Sequence, residues 1–194
     1  MHPISASPSE LSELYAVFCG QIDQLSVQHI FAAVEEASRN SVKSIHILFQ
    51  SSGGCVGDGV CLYNFFRVLP FDLTLYNVGS VQSIAAIAYL GAKHRKTSAH
   101  ALFQLHRTVL GPQGANAPQG ANAAELAALS EGAGMDDKRT EAIIRAHVKL
   151  SRKDWDRLRR VNILDVTAQD AVNIGLADEI GDFSPPPGTR IYSI

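Results

Sequence analysis

The sequence predicts an α/β fold built from parallel βαβ units, and three observations carry that prediction. Short apolar runs alternate with segments of helical periodicity, and polar or glycine-bearing breaks follow the runs. A chain of 194 residues, 46% hydrophobic and 19% charged, has enough apolar surface for one domain-sized core. Length therefore favours a single domain over 1–194.

The elements follow in order. LYAVFCG (14–20) reads as a buried strand closed by glycine, and SVQHIFAAVEEAS (26–38) as a helix with Val27, Ile30, Phe31 and Val34 on one face. SIHILFQ (44–50) is a second apolar strand, which SSGG (51–54) breaks. GVCLYNFFRVL (59–69) is helical, with Leu62, Phe65, Phe66 and Leu69 on one stripe. A strand at DLTLYNV (72–78), a helix from Ser83 to about Leu90 and a strand at ALFQLH (101–106) continue the alternation.

The rhythm then stops. PQGANA occurs twice in tandem, at 112–117 and 118–123, and the density of proline, glycine and asparagine over 111–125 predicts an exposed mobile loop. Two copies are too few for a solenoid. AAELAALSEG and DDKRTEAIIRAHVKL are helical, with Asp136 or Asp137 as N-cap of the second and Ile143, Ile144, His147 and Val148 on its apolar face. This arm, about 111–160, lies outside the βαβ pattern, and Trp155 within DWDRLRR reads as its packing anchor. A helix at TAQDAVNIG (167–175) capped by Gly175, a strand at LADEIG (176–181) and an irregular tail over 182–194 complete the chain.

Composition excludes several classes. With 17 basic against 19 acidic residues the net charge is −2, so the chain carries no electrostatic footprint for nucleic acid or an anionic membrane. Cys19, Cys55 and Cys61 follow no metal spacing and are expected as small buried hydrophobes in a reducing compartment. MHPISASPSE lacks a basic and an apolar signal region, and a cytoplasmic location is expected. His29, His46, His94 and His100 read as surface or satisfied core residues; neither metal nor cofactor is expected.

In open α/β sheets, sites form beyond the carboxyl ends of strands, where this sequence places SSGG, GSVQS (79–83) and His106. Ser83 in this setting is either an ordinary helix N-cap or a nucleophile. At a helix N-terminus its developing charge would meet the free first-turn amide of Ile84. Gly53 and Gly54 allow backbone to approach a substrate closely and to offer a second donor. His106 is the natural base, because imidazole titrates near neutrality.

These segments resemble a known family. FQSSGGCVGDGVCLYN is similar to the S-P-G-G-x-V-x-x-G segment of the proteolytic subunit of the Clp protease, and VGSVQSIAA to its G-x-x-x-S-M-(G/A)-A nucleophile turn. ALFQLHRT resembles its M-I-H-Q-P segment, and TAQDAVNIGLADEI its S-A-x-E-A-V-x-x-G-L-(V/I)-D ending. The resemblance runs from about residue 14 to 181. It implies a ClpP/crotonase-type fold of stacked βαβ units with a protruding helical handle. Ser83 then matches the nucleophile, His106 the base, and the amides of Gly53 and Ile84 the oxyanion hole; Gly54 and Arg107 are candidate substrate-binding residues. The arm after the repeat matches the handle through which two heptameric rings stack. The implied partners are peptides or unfolded proteins and further copies of the chain.

The sequence also departs from the family. Counting from His147, the third triad position falls on Asn162; counting back from Thr167 it falls on Ile163, and the nearest acid is Asp165. Either Asn162 or Asp165 could then orient His106. Ser52 and Arg107 stand where the family has proline, and the stretch ahead of the first strand is short for axial loops, leaving docking to an unfoldase ATPase open. Three readings result: a ClpP-like serine endopeptidase, slowed if Asn162 replaces the acid; a catalytically silent ring subunit or scaffold; and a crotonase-like acyl-CoA enzyme. The last needs a carboxylate pair and a basic patch, and neither is found near Ser83 in the sequence.

Overall fold

A computed structural model of the chain describes residues 13–40, 42–109 and 122–194. Strand β1 (Glu13–Cys19) leads to helix α1 (Gln24–Arg39), β2 (Ser44–Gln50), α2 (Val56–Phe66), β3 (Asp72–Asn77) and β4 (Ser80–Gln82). Helix α3 (Ile84–Tyr89), β5 (His94–Thr97) and β6 (Leu102–Leu105) follow. The long helix α4 (Ala123–His147), α5 (Arg152–Val161), β7 (Leu164–Thr167), α6 (Ala168–Ile174), β8 (Glu179–Ile180) and β9 (Ile191–Ser193) complete the order.

The strands form two sheets, ordered β8-β5-β3-β2-β1-β9 and β4-β6-β7. Every neighbouring pair of the first is parallel. In the second, β4 runs parallel to β6 and β7 antiparallel to it. This is the α/β architecture the alternation predicts. Strand β3, flanked on both sides, is buried along nearly its whole length, as a central parallel strand should be. Along β2, Ile45, Ile47 and Phe49 are buried while the alternate residues are half-buried. Leu62 and Phe66 of α2, Phe103 of β6 and Tyr89 of α3 join the same core.

Several boundaries differ from the sequence-based expectation. The arm is one continuous helix through Gly132 and Gly134, so Asp136 and Asp137 lie mid-helix, and the cap is Asn122, whose side chain accepts from the amides of Ala124 and Glu125. Helix α2 starts at Val56 and ends at Phe66, leaving Leu69 outside it. The tail is not wholly irregular: β9 pairs with β1 and covers that edge of the sheet. Strands β4, β5 and β7 are additions to the expected set, and only Glu179–Ile180 of 176–181 is strand.

The three cysteines are exposed, not buried, because each sits on the outward side of its element or turn. Phe31 is 36% exposed and lies on Phe65, their rings 4.4 Å apart, whereas Ala37 takes a buried place on α1. Most of the predicted repeat loop lies outside the described residues; its end, from Ala123, is helix. Among the described residues, no helix is long and apolar enough to cross a membrane.

Candidate active site

Ser83 occupies the single residue between β4 and α3 and has φ 56°, ψ −132°, a conformation that non-glycine residues rarely adopt. Such strain costs about 1–3 kcal/mol and persists only where the surroundings over-determine it. Here the backbone is pinned on every side. Ser83 N–H donates to Gln104 O (2.8 Å), Gln82 N–H to Ser51 O (2.9 Å), and Ala86 N–H to Ser83 O (3.1 Å). All six residues of α3 are buried, which fixes the helix that leaves the turn. The Ser83 side chain makes no capping bond, so the ordinary N-cap reading fails and Oγ is left to the cleft. The Ile84 amide opens the helix, where first-turn N–H groups have no intrahelical acceptor.

The SSGG break lies directly against this turn. Gly53 has φ 100°, and a Cβ there would stand 2.6 Å from Ser83 Cβ and 3.1 Å from Oγ; no other residue type fits. Gly54 is equally constrained, since its Cβ would meet Ile22 O at 2.0 Å. Ile22 N–H donates to Gly53 O (2.9 Å) and Cys55 N–H to Ile22 O (2.8 Å), tying the loop to the segment after β1. The Gly53 amide, expected as an oxyanion donor, donates to Ser51 Oγ at 3.1 Å. Ser51 is buried, so the Gly53 amide already has an acceptor inside the fold.

His106 follows β6 directly. Its Nδ1 lies 2.7 Å from Arg107 O. A carbonyl oxygen only accepts, so Nδ1 carries the proton and Nε2 of the neutral ring keeps its lone pair. Among the described residues, no hydrogen bond joins His106 to Ser83. Asn162 sits in the left-handed region (φ 61°, ψ 12°) at the end of α5, and its Oδ1 accepts from Arg107 N–H at 2.9 Å. It therefore reaches the residue after His106, and the ring itself has another partner. Asp165 faces Gln104 across the β6–β7 ladder and accepts from Gln104 Nε2 at 2.8 Å.

Ser83, Ile84, Gly53, Gly54, His106 and Arg107 line one cleft of about 1130 Å³, to which α4 contributes Glu125, Ala128, Leu129 and Asp136. Asn162 and Asp165 are not among its lining residues. Behind the histidine, Asp137 of α4 accepts from Thr108 N–H (2.7 Å) and pairs with the Arg107 guanidinium (2.7 Å). Sequence reasoning missed the roles of Ser51, Gln104 and Asp137; their bonds run between distant segments, and no spacing signals them. His147 bonds Tyr63 Oη through Nε2 (2.9 Å), and burial pushes its pKa below the usual imidazole value.

Comparison with known proteins gives the family and the fold. The Clp protease family model matches residues 9–183. The ATP-dependent Clp protease proteolytic subunit 2 of Corynebacterium glutamicum is 26% identical over 181 residues, covering 88% of this chain and 82% of that protein. An Asn-to-Asp mutant of ClpP1 from Listeria monocytogenes shares the fold, with a TM-score of 0.71 at 15% identity over 90% of this chain and 93% of the other. The match across nearly the whole described core means that the chain belongs to the Clp protease family and is a ClpP-like serine-type peptidase.

Proposed function

We propose that this ClpP-family protease cleaves peptide bonds through an acyl-enzyme on Ser83, with His106 as general base. The observation that carries the proposal is the strained, uncapped Ser83 turn in a cleft shared with His106. Ser83 Oγ attacks the scissile carbonyl carbon while His106 Nε2 takes the hydroxyl proton. The carbonyl oxygen becomes an oxyanion, received by the Ile84 amide and by the Gly53 amide once it exchanges Ser51 Oγ for the stronger, charged acceptor. The C–N bond then breaks, and the imidazolium returns its proton to the leaving amine. Water repeats the sequence on the acyl-enzyme and frees Ser83. Gly54 and Arg107 border the cleft and are assigned to holding the peptide.

With no carboxylate bonded to the His106 ring among the described residues, the imidazolium gains little charge stabilisation, and turnover is slow. Exchange of the triad acid for its amide in a serine protease costs about 10⁴-fold. A second reading, a silent ring subunit, draws on the same gap and on the Gly53 amide being engaged by Ser51. Both readings assemble copies of the chain into rings. Leu126 and Met135 are 55% and 63% exposed on α4, and Ile144 is the helix's one buried residue, so a long helix left largely uncovered suits burial against another copy. Three unpaired, exposed cysteines suit a reducing cytoplasm.

The test is hydrolysis of fluorogenic peptides by the isolated ring, with Ser83→Ala beside it. Slow hydrolysis that the substitution abolishes is the expected result; no hydrolysis and no acylation of Ser83 would leave the silent-subunit reading.

A further inference from the structure

We infer that Asp137, in the middle of α4, is a positioning residue for His106 that acts through the Arg107–Thr108 peptide group, an inference that rests on the proposed Ser83–His106 chemistry. The two ends of one peptide unit carry it. The carbonyl oxygen of Arg107 accepts from His106 Nδ1 at 2.7 Å, and the N–H of Thr108, on the other side of the same amide, donates to Asp137 Oδ1 at 2.7 Å. Imidazole, amide and carboxylate thus form one hydrogen-bonded row. A carboxylate on the N–H draws the amide toward its charge-separated form and makes the carbonyl a stronger acceptor; such cooperative strengthening is about 10–30% per bond.

The row does, at one remove, part of what a triad acid does. It fixes the Nδ1–H tautomer, holds the ring plane, and gives the Nδ1–H of the imidazolium that forms during acylation a polarised acceptor, while the charge of the carboxylate itself is offset by the Arg107 guanidinium. The Asp137 carboxylate is itself well held: its side chain is 14% exposed, and Oδ2 lies 2.7 Å from the Arg107 guanidinium. Asn162 Oδ1 fixes the preceding peptide by accepting from Arg107 N–H. Residues 106–108 are therefore pinned from two helices, and the single carboxylate in the arrangement is Asp137. Asp137 is not a lining residue of the cleft; it reaches the site through the Arg107–Thr108 peptide, which bears on the ring, and through the Arg107 guanidinium, whose contribution to peptide binding KM reads separately.

The test is Asp137→Asn in the assembled full-length protein, measured by peptide hydrolysis and by the rate of fluorophosphonate labelling of Ser83. Glu141→Gln, which removes an exposed i,i+4 pair with Arg145 one turn along the same helix, is the control for helix stability. Asn keeps an acceptor for Thr108 N–H but loses the ion pair with the Arg107 guanidinium that helps hold the segment; since misplacing a reacting group by about 1 Å can cost about 10²-fold, kcat and the labelling rate are expected to fall about 10- to 100-fold in Asp137→Asn. KM and the melting temperature should stay near those of Glu141→Gln. Wild-type labelling with an equal rate in Asp137→Asn, or a loss seen only as raised KM or lost folding, would overturn the role of Asp137 alone. Absence of label on wild-type Ser83 would overturn the underlying peptidase mechanism and this inference with it.

Discussion

Gly53 and Ser83 show how tightly the site is specified at the level of single atoms. A methyl group at Gly53 would stand 2.6 Å from Ser83 Cβ, and φ 100° is itself costly for any side chain. Gly53→Ala is therefore expected to lose peptidase activity and about 1–3 kcal/mol of stability, read by hydrolysis and urea denaturation. Asn162 offers the converse experiment. Asn162→Asp keeps an acceptor for Arg107 N–H and adds a negative charge beside the histidine segment. The expected gain in kcat is about 10²-fold, a fraction of the about 10⁴-fold at stake when a triad acid is directly bonded to the ring. An unchanged kcat would mean that Asn162 serves only the loop. The motif residues Ser83, His106, Gly53 and Ile84 were legible in the sequence as candidates because they follow or close apolar strands, Gly53, Ser83 and Ile84 at glycine-marked turns, and their roles came from the family resemblance. Their bonding was not legible: that Ser51 engages the Gly53 amide, and that Arg107 O rather than Asn162 receives His106, depends on loop geometry that residue types do not encode.

Among the elements, α5 matters because its left-handed end presents Asn162. Its start is a capping box in which Ser151 accepts from Asp154 N–H while the Asp154 side chain receives the Ser151 amide. Ser151→Ala is expected to cost about 1 kcal/mol in thermal or chemical unfolding. Long apolar strands and amphipathic helices were readable from periodicity, with β2 matching at both ends. The missed strands are short and atypical. Strand β5 is HRKT, polar because it needs only four residues to pair between β3 and β8, and β7 is LDVT, whose Asp165 faces Gln104. The arm read as two helices because Gly132 and Gly134 usually interrupt one, at about 1 kcal/mol each relative to alanine. The helix continues through both, and a Cβ at either would meet nothing within 4 Å, so packing gives no reason for these glycines.

For the molecule as a whole, two half-buried histidines set an acid limit on stability. His46 stacks on Tyr15 with ring centroids 4.7 Å apart, bonds Tyr76 Oη at 3.0 Å through Nδ1, and has a buried Nε2 with no partner among the described residues. Burial pushes both His46 and His147 below the ordinary imidazole pKa, so the folded chain holds them neutral. The unfolded chain binds these protons at about pH 6.5, before the folded one does, so stability rises with pH through this window. Their contribution is complete above that value and is lost as pH falls toward the depressed folded values. The urea midpoint should accordingly drop between pH 7.5 and 5.5, and His46→Phe, which preserves an aromatic stack, should flatten the slope. A midpoint independent of pH over that range would contradict the assignment.

The most direct test of the account is labelling of the assembled protein with a fluorophosphonate, with the modified residue located by peptide mass spectrometry and His106→Ala as control. Stoichiometric label on Ser83 that disappears in His106→Ala is the predicted result. An unlabelled Ser83 in the folded ring would contradict the claim that the strained turn carries a working nucleophile.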